Sequence, residues 1–174
     1  MAYTAVLEET LLDYPSPDDN AIIVYLTGCE HHCPGCHSPL IQKVQEYTET
    51  PEELTEKLVD YCRRAETNKI VLLGGDPLYE TNIPYTKHIL QTLSHSYDIC
   101  IFTGYSIDYV KQLGISGAKY YKCGKFDINT VRTSLKTDEK YVLASPNQDF
   151  YDENYNKISE NGILYFNSNQ NEGN

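Results

Sequence analysis

The chain contains 174 residues, with 14 Lys and Arg side chains against 25 Asp and Glu, which gives a net charge of −11 and an isoelectric point near 4.8. Hydrophobic residues make up 40% of the chain and charged residues 22%, a composition that can close a core and excludes a disordered chain. Nucleic-acid binders cluster Lys and Arg against phosphates, whereas here these residues are scattered. We therefore expect no nucleic-acid partner and no membrane partner.

A single domain over residues 1–166 is the expected organisation for a chain of this length. The polar stretch 167–174 has no apolar residue to anchor it and is predicted to be disordered. The longest apolar run, Ala21 to Leu26, is far shorter than the about 20 residues that span a bilayer. Residues 1–12 carry two glutamates and no Lys or Arg, unlike a secretory leader, so we expect a cytoplasmic protein.

Buried strands alternate with helices along the chain. Ala21 to Leu26 is a continuous β-branched and aromatic run, typical of a strand buried on both faces. Residues 51–65 place their apolar side chains on one helical stripe, with Thr50 at the N-cap and Pro51 in the first turn. The other predicted elements are strands at 69–73, 98–102, 118–122 and 141–144 and helices at 85–93 and 106–113.

This alternation predicts an α/β fold, with a parallel sheet and helices on its outer face, because repeated strand–helix–strand units require right-handed parallel crossovers. A complete eight-unit barrel takes about 250 residues, more than this chain has. The sequence therefore predicts either an incomplete, open β/α barrel or a doubly wound sheet.

A cysteine-rich loop follows the first buried strand. Cys29, Cys33 and Cys36 form a C-x₃-C-x₂-C pattern that directs three thiols toward one point. Soft sulfur ligands favour zinc, copper(I) or an iron–sulfur cluster. A closed zinc site would need a fourth ligand, which one of the three neighbouring histidines could supply. A [4Fe–4S] cluster held by three cysteines would instead keep one iron open for a substrate.

The other three cysteines lack the spacing of a second cluster. Cys62 falls on the apolar stripe of the first helix and Cys100 lies inside a buried strand, so both are predicted to be core residues. Cys123 comes at a strand end on the same edge of the sheet as the loop, which makes it a candidate to touch the site. Cysteine usage of this kind indicates a reducing compartment rather than a disulfide framework.

A second motif, Gly74-Gly75-Asp76-Pro77, ends the next buried strand. It lies at the carboxyl edge, where parallel sheets bind their ligands. Two glycines allow the backbone to approach a ligand closely, and the proline stiffens the turn. Alone, the motif is typical of a plain strand-to-helix turn; after the cysteine loop, it indicates a ligand site.

Together these motifs resemble the radical S-adenosylmethionine superfamily and, within it, the branch that activates anaerobic ribonucleoside-triphosphate reductase. The resemblance covers about residues 22–150. The matching segments are 28–36, 74–78, 103–105, 124–126 and 145–148.

The resemblance implies an incomplete β/α barrel of the radical S-adenosylmethionine type and a role for each matching residue. The metal ligands would be Cys29, Cys33 and Cys36, which would hold a [4Fe–4S] cluster. The residues that bind S-adenosyl-L-methionine would be Gly35, Cys36 and His37 on its adenosine side, Gly74, Gly75 and Asp76 at its methionine part, and Thr103, Gly104 and Tyr105, which complete the pocket. No catalytic residue beyond the cluster and the cofactor is implied.

The implied activity is reductive cleavage of S-adenosyl-L-methionine, which generates a glycyl radical on anaerobic ribonucleoside-triphosphate reductase. The implied partners are that reductase and an electron donor such as a flavodoxin. Three alternatives stay open at this point: an activase of another glycyl-radical enzyme, a small-molecule radical enzyme of similar length, and a zinc-binding interaction module.

Overall fold

This computed structural model describes residues 7–10, 14–17, 20–45 and 49–166. Within these residues it contains nine strands and three α-helices. In chain order the elements are β1 (Leu7–Thr10), β2 (Ala21–Leu26), α1 (Pro51–Arg64), β3 (Lys69–Gly74), α2 (Ile83–Leu93), β4 (Asp98–Thr103), α3 (Ile107–Gln112), β5 (Tyr120–Cys123), β6 (Leu135–Lys136), β7 (Lys140–Val142), β8 (Asp149–Asp152) and β9 (Ile163–Tyr165). Single turns of 3-10 helix occur at Pro39–Ile41 and Ile128–Thr130.

Strands β2, β3, β4 and β5 are parallel neighbours and form the centre of a six-stranded sheet. Strand β1 pairs antiparallel with β2 at one edge, and β8 pairs antiparallel with β5 at the other. In the described residues the two edge strands do not pair with each other, so the sheet stays open. The predicted α/β fold, with a mainly parallel sheet that does not close into a barrel, is confirmed.

Helix α1 begins where the sequence predicts it to begin. The Thr50 hydroxyl accepts a hydrogen bond from the Glu53 amide (3.2 Å), and the Glu53 carboxylate accepts one from the Thr50 amide (2.8 Å). This capping box satisfies two N–H groups that the helix itself leaves unpaired. Leu54, Leu58 and Cys62 are buried along one face, so the predicted stripe and the core position of Cys62 are confirmed.

The two faces of the large sheet are covered by different layers. On the outer face, strand side chains such as Ile22 and Ile70 pack against the apolar faces of α1, α2 and α3. On the opposite, inner face, Ile23 and Val71 pack in a second core with residues such as Leu164. In the described part of the chain the buried apolar residues of the helices all belong to the outer core, so the doubly wound alternative is wrong.

The inner face is covered by a small antiparallel sheet with the strand order β6-β7-β9. The predicted strand at 141–144 falls here, and the expectation that it continues the parallel sheet is wrong. A parallel connection needs a crossover of about a dozen residues or more, usually a helix, and α-helix is absent from the described residues between β5 and β8. The chain therefore returns to the large sheet as the antiparallel strand β8.

Two further expectations concern the chain as a whole. The tail at 167–174, predicted to be disordered, lies outside the described residues. Among the helices that are described, none combines the length and the apolar character needed to cross a membrane.

Phe150 tests whether the inner core contributes strongly to stability. Its side chain is fully buried, and its ring meets those of Phe102 and Tyr141 edge-on, with centroid distances of 6.2 and 5.5 Å. We expect Phe150→Ala to lower the free energy of unfolding by about 3–5 kcal/mol, because it leaves a cavity between the two sheets. Urea unfolding of the cluster-free protein measures this loss. Tyr165→Ala, at a position 52% exposed, is the control, and an equal loss there would contradict the interpretation.

Candidate functional site

The carboxyl ends of the four parallel strands lead into loops that enclose a cavity of about 350 Å³. Side chains on the inner face of the sheet, among them Tyr25, Leu73 and Phe102, line its apolar wall. Tyr141 and Leu143, from β7 and the residue after it, line the side formed by the small sheet. A concave site of this size and mixed lining is typical of a small-molecule binding pocket.

Most of the residues predicted for the site lie on this cavity. Those that line it are Cys29, Cys33, Cys36, His37, Gly74, Gly75, Asp76, Thr103 and Gly104. Gly35 and Tyr105 are not among the lining residues. Gly35 faces Ile128, and Tyr105 lines a neighbouring recess of about 310 Å³, where its hydroxyl donates to Glu30 (2.6 Å).

The cysteine loop is held in place by the backbone. The amides of Gly28 and Cys29 donate to the carbonyls of Ile41 (2.8 Å) and Gln42 (2.9 Å), which ties the start of the loop to its end. In the described residues no cysteine forms a disulfide, and the three cysteines of the loop are partly exposed. The Cys29 sulfur accepts a hydrogen bond from the His31 amide (3.4 Å), and burial raises the pKa of the Cys29 thiol.

The three loop thiols share the cavity without converging on one atom. Within the described residues, no three His, Cys, Asp or Glu side chains come together closely enough to hold a single metal ion. A [4Fe–4S] cluster binds each cysteine at a different iron, whereas a zinc site gathers its ligands around one ion. The three thiols line one cavity, as either kind of site requires.

The remaining cysteines lie in the core. Cys100 is buried on the inner face of β4, as predicted. Cys123 is buried at the end of β5 and is not among the residues that line the cavity. Burial raises the pKa of the Cys123 thiol to about 12, so this side chain stays protonated at neutral pH.

Asp76 connects the loops that follow three different strands. Its carboxylate is 1% exposed and accepts hydrogen bonds from the Leu78 amide (2.8 Å), the Thr103 hydroxyl (2.8 Å) and the Gly104 amide (2.8 Å). The ring Nε2 of His31 lies 2.9 Å from the same carboxylate. Because a carboxylate can only accept, His31 must donate through Nε2. One buried side chain thus joins the cysteine loop, the turn after β3 and the turn after β4.

Two glycines permit this close approach of the loops. A Cβ atom placed on Gly75 would lie 2.3 Å from the carbonyl oxygen of Gly28, next to the first cysteine. A Cβ atom on Gly104 would lie 2.3 Å from the ring of His31. Both contacts are far shorter than van der Waals distance. These glycines are therefore required by contacts within the protein, in addition to the freedom they give at the cavity wall.

Sequence reasoning missed Asn82, which is fully buried. Its side-chain amide donates to the carbonyls of Thr27 (3.0 Å) and Asp76 (2.7 Å) and so holds the start of the cysteine loop against the turn after β3. An Asn directly before a helix is typical of an N-cap, but this side chain makes no capping bond. The sequence therefore contains no signal for the role that Asn82 has.

Side chains of the segment 145–148 form hydrogen bonds to the backbone of a neighbouring segment beside the cavity. The Ser145 hydroxyl accepts from the Asp127 amide (2.9 Å), Asn147 donates to the Lys125 carbonyl (2.9 Å) and Gln148 donates to the Gly124 carbonyl (2.8 Å). These bonds fix the segment 124–127. Its Phe126 ring packs at 5.2 Å from the ring of His37 in the cysteine loop.

Asp76→Asn tests whether the buried carboxylate holds the three loops together. An amide offers one acceptor oxygen and turns an NH₂ group toward buried donors, so at least one donor loses its partner. We expect a loss of about 1–3 kcal/mol in the free energy of unfolding. Urea unfolding of the cluster-free protein measures it, and Asp60→Asn, whose carboxylate pairs with Arg63 and Arg64 on the surface, should change stability far less. Equal stability of the two variants would contradict the role of Asp76.

Comparison with known proteins identifies the family. The family model described as "4Fe-4S single cluster domain" matches residues 20–150. Over 90 residues the chain is 29% identical to the anaerobic ribonucleoside-triphosphate reductase-activating protein of Salmonella typhimurium, a match that covers 49% of this chain and 58% of the relative. The protein of the same name from Enterobacteria phage T4 is 25% identical over 95 residues, covering 53% and 61%.

The chain thus spans less than two thirds of the length of these curated relatives. Among solved structures, the crystal structure of QueE from Escherichia coli is similar with a TM-score of 0.41 and 16% sequence identity, over 59% of this chain and 53% of that one. The family model, by contrast, covers most of the described residues, including the cysteine loop and the turns after β3 and β4. The chain therefore belongs to the family of 4Fe-4S single cluster domains, and the expectation of a [4Fe–4S] cluster is confirmed at the level of the family.

Proposed function

We propose that this protein is an iron–sulfur activase that cleaves S-adenosyl-L-methionine reductively and generates a glycyl radical on anaerobic ribonucleoside-triphosphate reductase. One observation carries the proposal. Three loop thiols and the backbone turns after β3 and β4 line a single cavity at the carboxyl edge of an open parallel sheet. The relatives from Salmonella typhimurium and phage T4 are named as activating proteins of anaerobic ribonucleoside-triphosphate reductase, which supports that reductase as the substrate protein.

The donor set fits a [4Fe–4S] cluster. In the proposed site, Cys29, Cys33 and Cys36 each bind one iron, and all three are partly exposed at the same cavity. Three protein ligands for four irons leave one iron available for S-adenosyl-L-methionine. The amide of Ser38 donates to the Cys36 sulfur (3.4 Å), as the amide of His31 does to that of Cys29. Such hydrogen bonds to sulfur are among the means by which a protein adjusts the reduction potential of a cluster.

The turn after β3 fits the methionine part of the cofactor. Both oxygens of the Asp76 carboxylate already accept hydrogen bonds from the protein, so we propose that its side chain positions the turn and that the backbone of Gly74 and Gly75 holds the amino acid group. Thr103 and Gly104 line the adjacent wall. Tyr105 supports them indirectly, because its ring packs against that of His31 at 4.3 Å.

The adenosine part is assigned to the other side of the cavity. We propose that the backbone of Gly35, Cys36 and His37 lines it, with the rings of His37 and Phe126 packed together at its edge. Held by Cys29, Cys33 and Cys36, a reduced [4Fe–4S] cluster would supply the one electron for cleavage of the C5′–S bond of S-adenosyl-L-methionine, and its 5′-deoxyadenosyl part would accept the hydrogen atom of a glycine α-carbon. The residues of the chain would bind and orient the cofactor and exclude water from it, a role that suits a cavity lined by glycine turns on one part and apolar side chains on another.

The proposed function also requires an electron donor and a reducing location. An external one-electron donor such as a flavodoxin would reach the cluster through the partly exposed loop. We place the protein in a reducing, cytoplasmic compartment, because a C-x₃-C-x₂-C pattern is typical of metal-ligand cysteines rather than of a disulfide framework.

The zinc-binding alternative is less well supported. His31 donates its Nε2 hydrogen to Asp76, His32 lies 3.4 Å from the Gln42 side chain, and His37 packs against Phe126. The candidates for a fourth zinc ligand thus have other contacts, and the thiols do not converge on one ion.

Replacing any one of Cys29, Cys33 and Cys36 with Ala is expected to abolish both cluster binding and cleavage of S-adenosyl-L-methionine, because two thiolates leave a second iron without a protein ligand. Iron and sulfide analysis after anaerobic reconstitution, together with the yield of 5′-deoxyadenosine, measures the loss. Cys62→Ala, in the outer core, should retain both. Full cleavage by any of the three loop variants would exclude the assignment.

The product radical is expected on the reductase. With dithionite, S-adenosyl-L-methionine and the anaerobic reductase of the same organism, an EPR doublet should appear and should collapse when the glycine α-hydrogen is replaced by deuterium. That deuterium should be recovered in 5′-deoxyadenosine. A labelled small metabolite, with no radical on the reductase, would favour a small-molecule radical enzyme instead.

A further inference from the structure

Two segments beside the cavity, residues 31–45 and 122–136, are exposed or half-exposed apart from the buried Cys123, and we call them together the mouth surface. Both contribute residues to the cavity lining. They also lie against each other, since Gly35 of the first segment faces Ile128 of the second, and His37 packs on Phe126. Any large molecule that reaches the cavity from this side has to contact the mouth surface.

The charge of the mouth surface is opposite to that of the rest of the chain. Its 30 residues include Lys43, Lys122, Lys125, Arg132 and Lys136, and a single acidic residue, Asp127, which gives a net charge of +4. The remaining 144 residues carry nine basic and 24 acidic side chains, a net charge of −15. An acidic polypeptide is therefore repelled by most of the protein and attracted to the edge of the cavity.

Exposed apolar side chains concentrate on the same surface. Among the described residues, seven large hydrophobic side chains are exposed, and five of them belong to the mouth surface. Leu40 is the most exposed, at 86%, and lies in the 3-10 turn of the cysteine loop. The other four are Val44, Ile128, Val131 and Leu135. Apolar side chains grouped on one exposed surface, with polar residues between them, are typical of an interaction site.

We propose that the mouth surface is the docking site for the protein substrate, and that it recognises a segment of the reductase that is acidic and carries apolar side chains beside the reacting glycine. This inference rests on the proposed function. A small metabolite would need neither the apolar side chains outside the cavity nor the positive charge around it. An electron donor would need only to approach the cysteine loop, whereas the mouth surface also includes the neighbouring segment 122–136.

The test uses variants that lie on the mouth surface but do not line the cavity. Leu40→Ser combined with Val131→Ser removes apolar contact, and Lys43→Glu reverses one charge. The matched controls are Val59→Ser on α1 and Lys87→Glu on α2, both remote from the mouth surface in the sequence. Each cluster-loaded protein is measured for affinity to the anaerobic reductase of the same organism and for glycyl radical yield. Dithionite is the reductant, so no protein donor enters the assay.

We expect the apolar double variant to bind the reductase about tenfold more weakly, because two apolar side chains are no longer buried on docking. We expect Lys43→Glu to slow association at low salt, with a difference that shrinks near 1 M salt, where the screening length is about 3 Å. Both variants should keep the wild-type iron content and the slow cleavage of S-adenosyl-L-methionine without reductase, and both controls should behave as wild type.

Wild-type affinity in both mouth-surface variants overturns the inference, and so does an equal loss in the controls. It is also overturned if sedimentation shows that the double variant has lost a dimer of this chain rather than contact with the reductase. A protein that fails to cleave S-adenosyl-L-methionine at all would instead refute the proposed function, and the cluster and cleavage measurements reveal that outcome separately.

Discussion

The buried Asp76 carboxylate is the contact on which the geometry of the site depends. Parallel strands end at one edge of a sheet, but their loops are free to diverge unless something joins them. Asp76 joins three of them, through the His31 ring at 2.9 Å and the Thr103 hydroxyl and Gly104 amide at 2.8 Å. A buried carboxylate is costly unless its acceptor sites are filled, so the same network that satisfies Asp76 also fixes the loops.

The network explains why the site is rich in glycine. Loops that meet this closely leave no space for Cβ atoms. A Cβ atom on Gly75 or on Gly104 would lie only 2.3 Å from an atom of the cysteine loop. Backbone groups of the glycine turns thus form one part of the cavity wall, and apolar side chains of the sheet form another. Such a wall suits a cofactor that brings its own reactivity, because the protein then has only to bind and orient it.

The strands, helices and loops that the sequence predicts correctly are those marked by a pattern of residues close together in the chain. Strands β2, β3 and β4 are mainly apolar runs, α1 has a capping box, and the cysteine spacing predicts a metal-binding loop, which the family resemblance narrows to a cluster. The missed parts depend on contacts between distant residues. Edge strands and the small sheet are two to four residues long and form against existing partners, Asn82 bonds to Thr27, and His31 bonds to Asp76. Positions 27 and 82 carry no pattern that pairs them.

An incomplete sheet and a charged mouth are consistent with a partner that completes the site. In the described residues the large sheet does not close into a barrel, and the cavity at its carboxyl edge is partly open. A small-molecule enzyme would have to exclude water there with its own residues. A protein substrate can instead supply the missing wall when it docks. If the proposed function holds, the positive mouth surface on an otherwise acidic chain would orient the partner before contact, and the docked polypeptide would cover the cavity before the reaction begins.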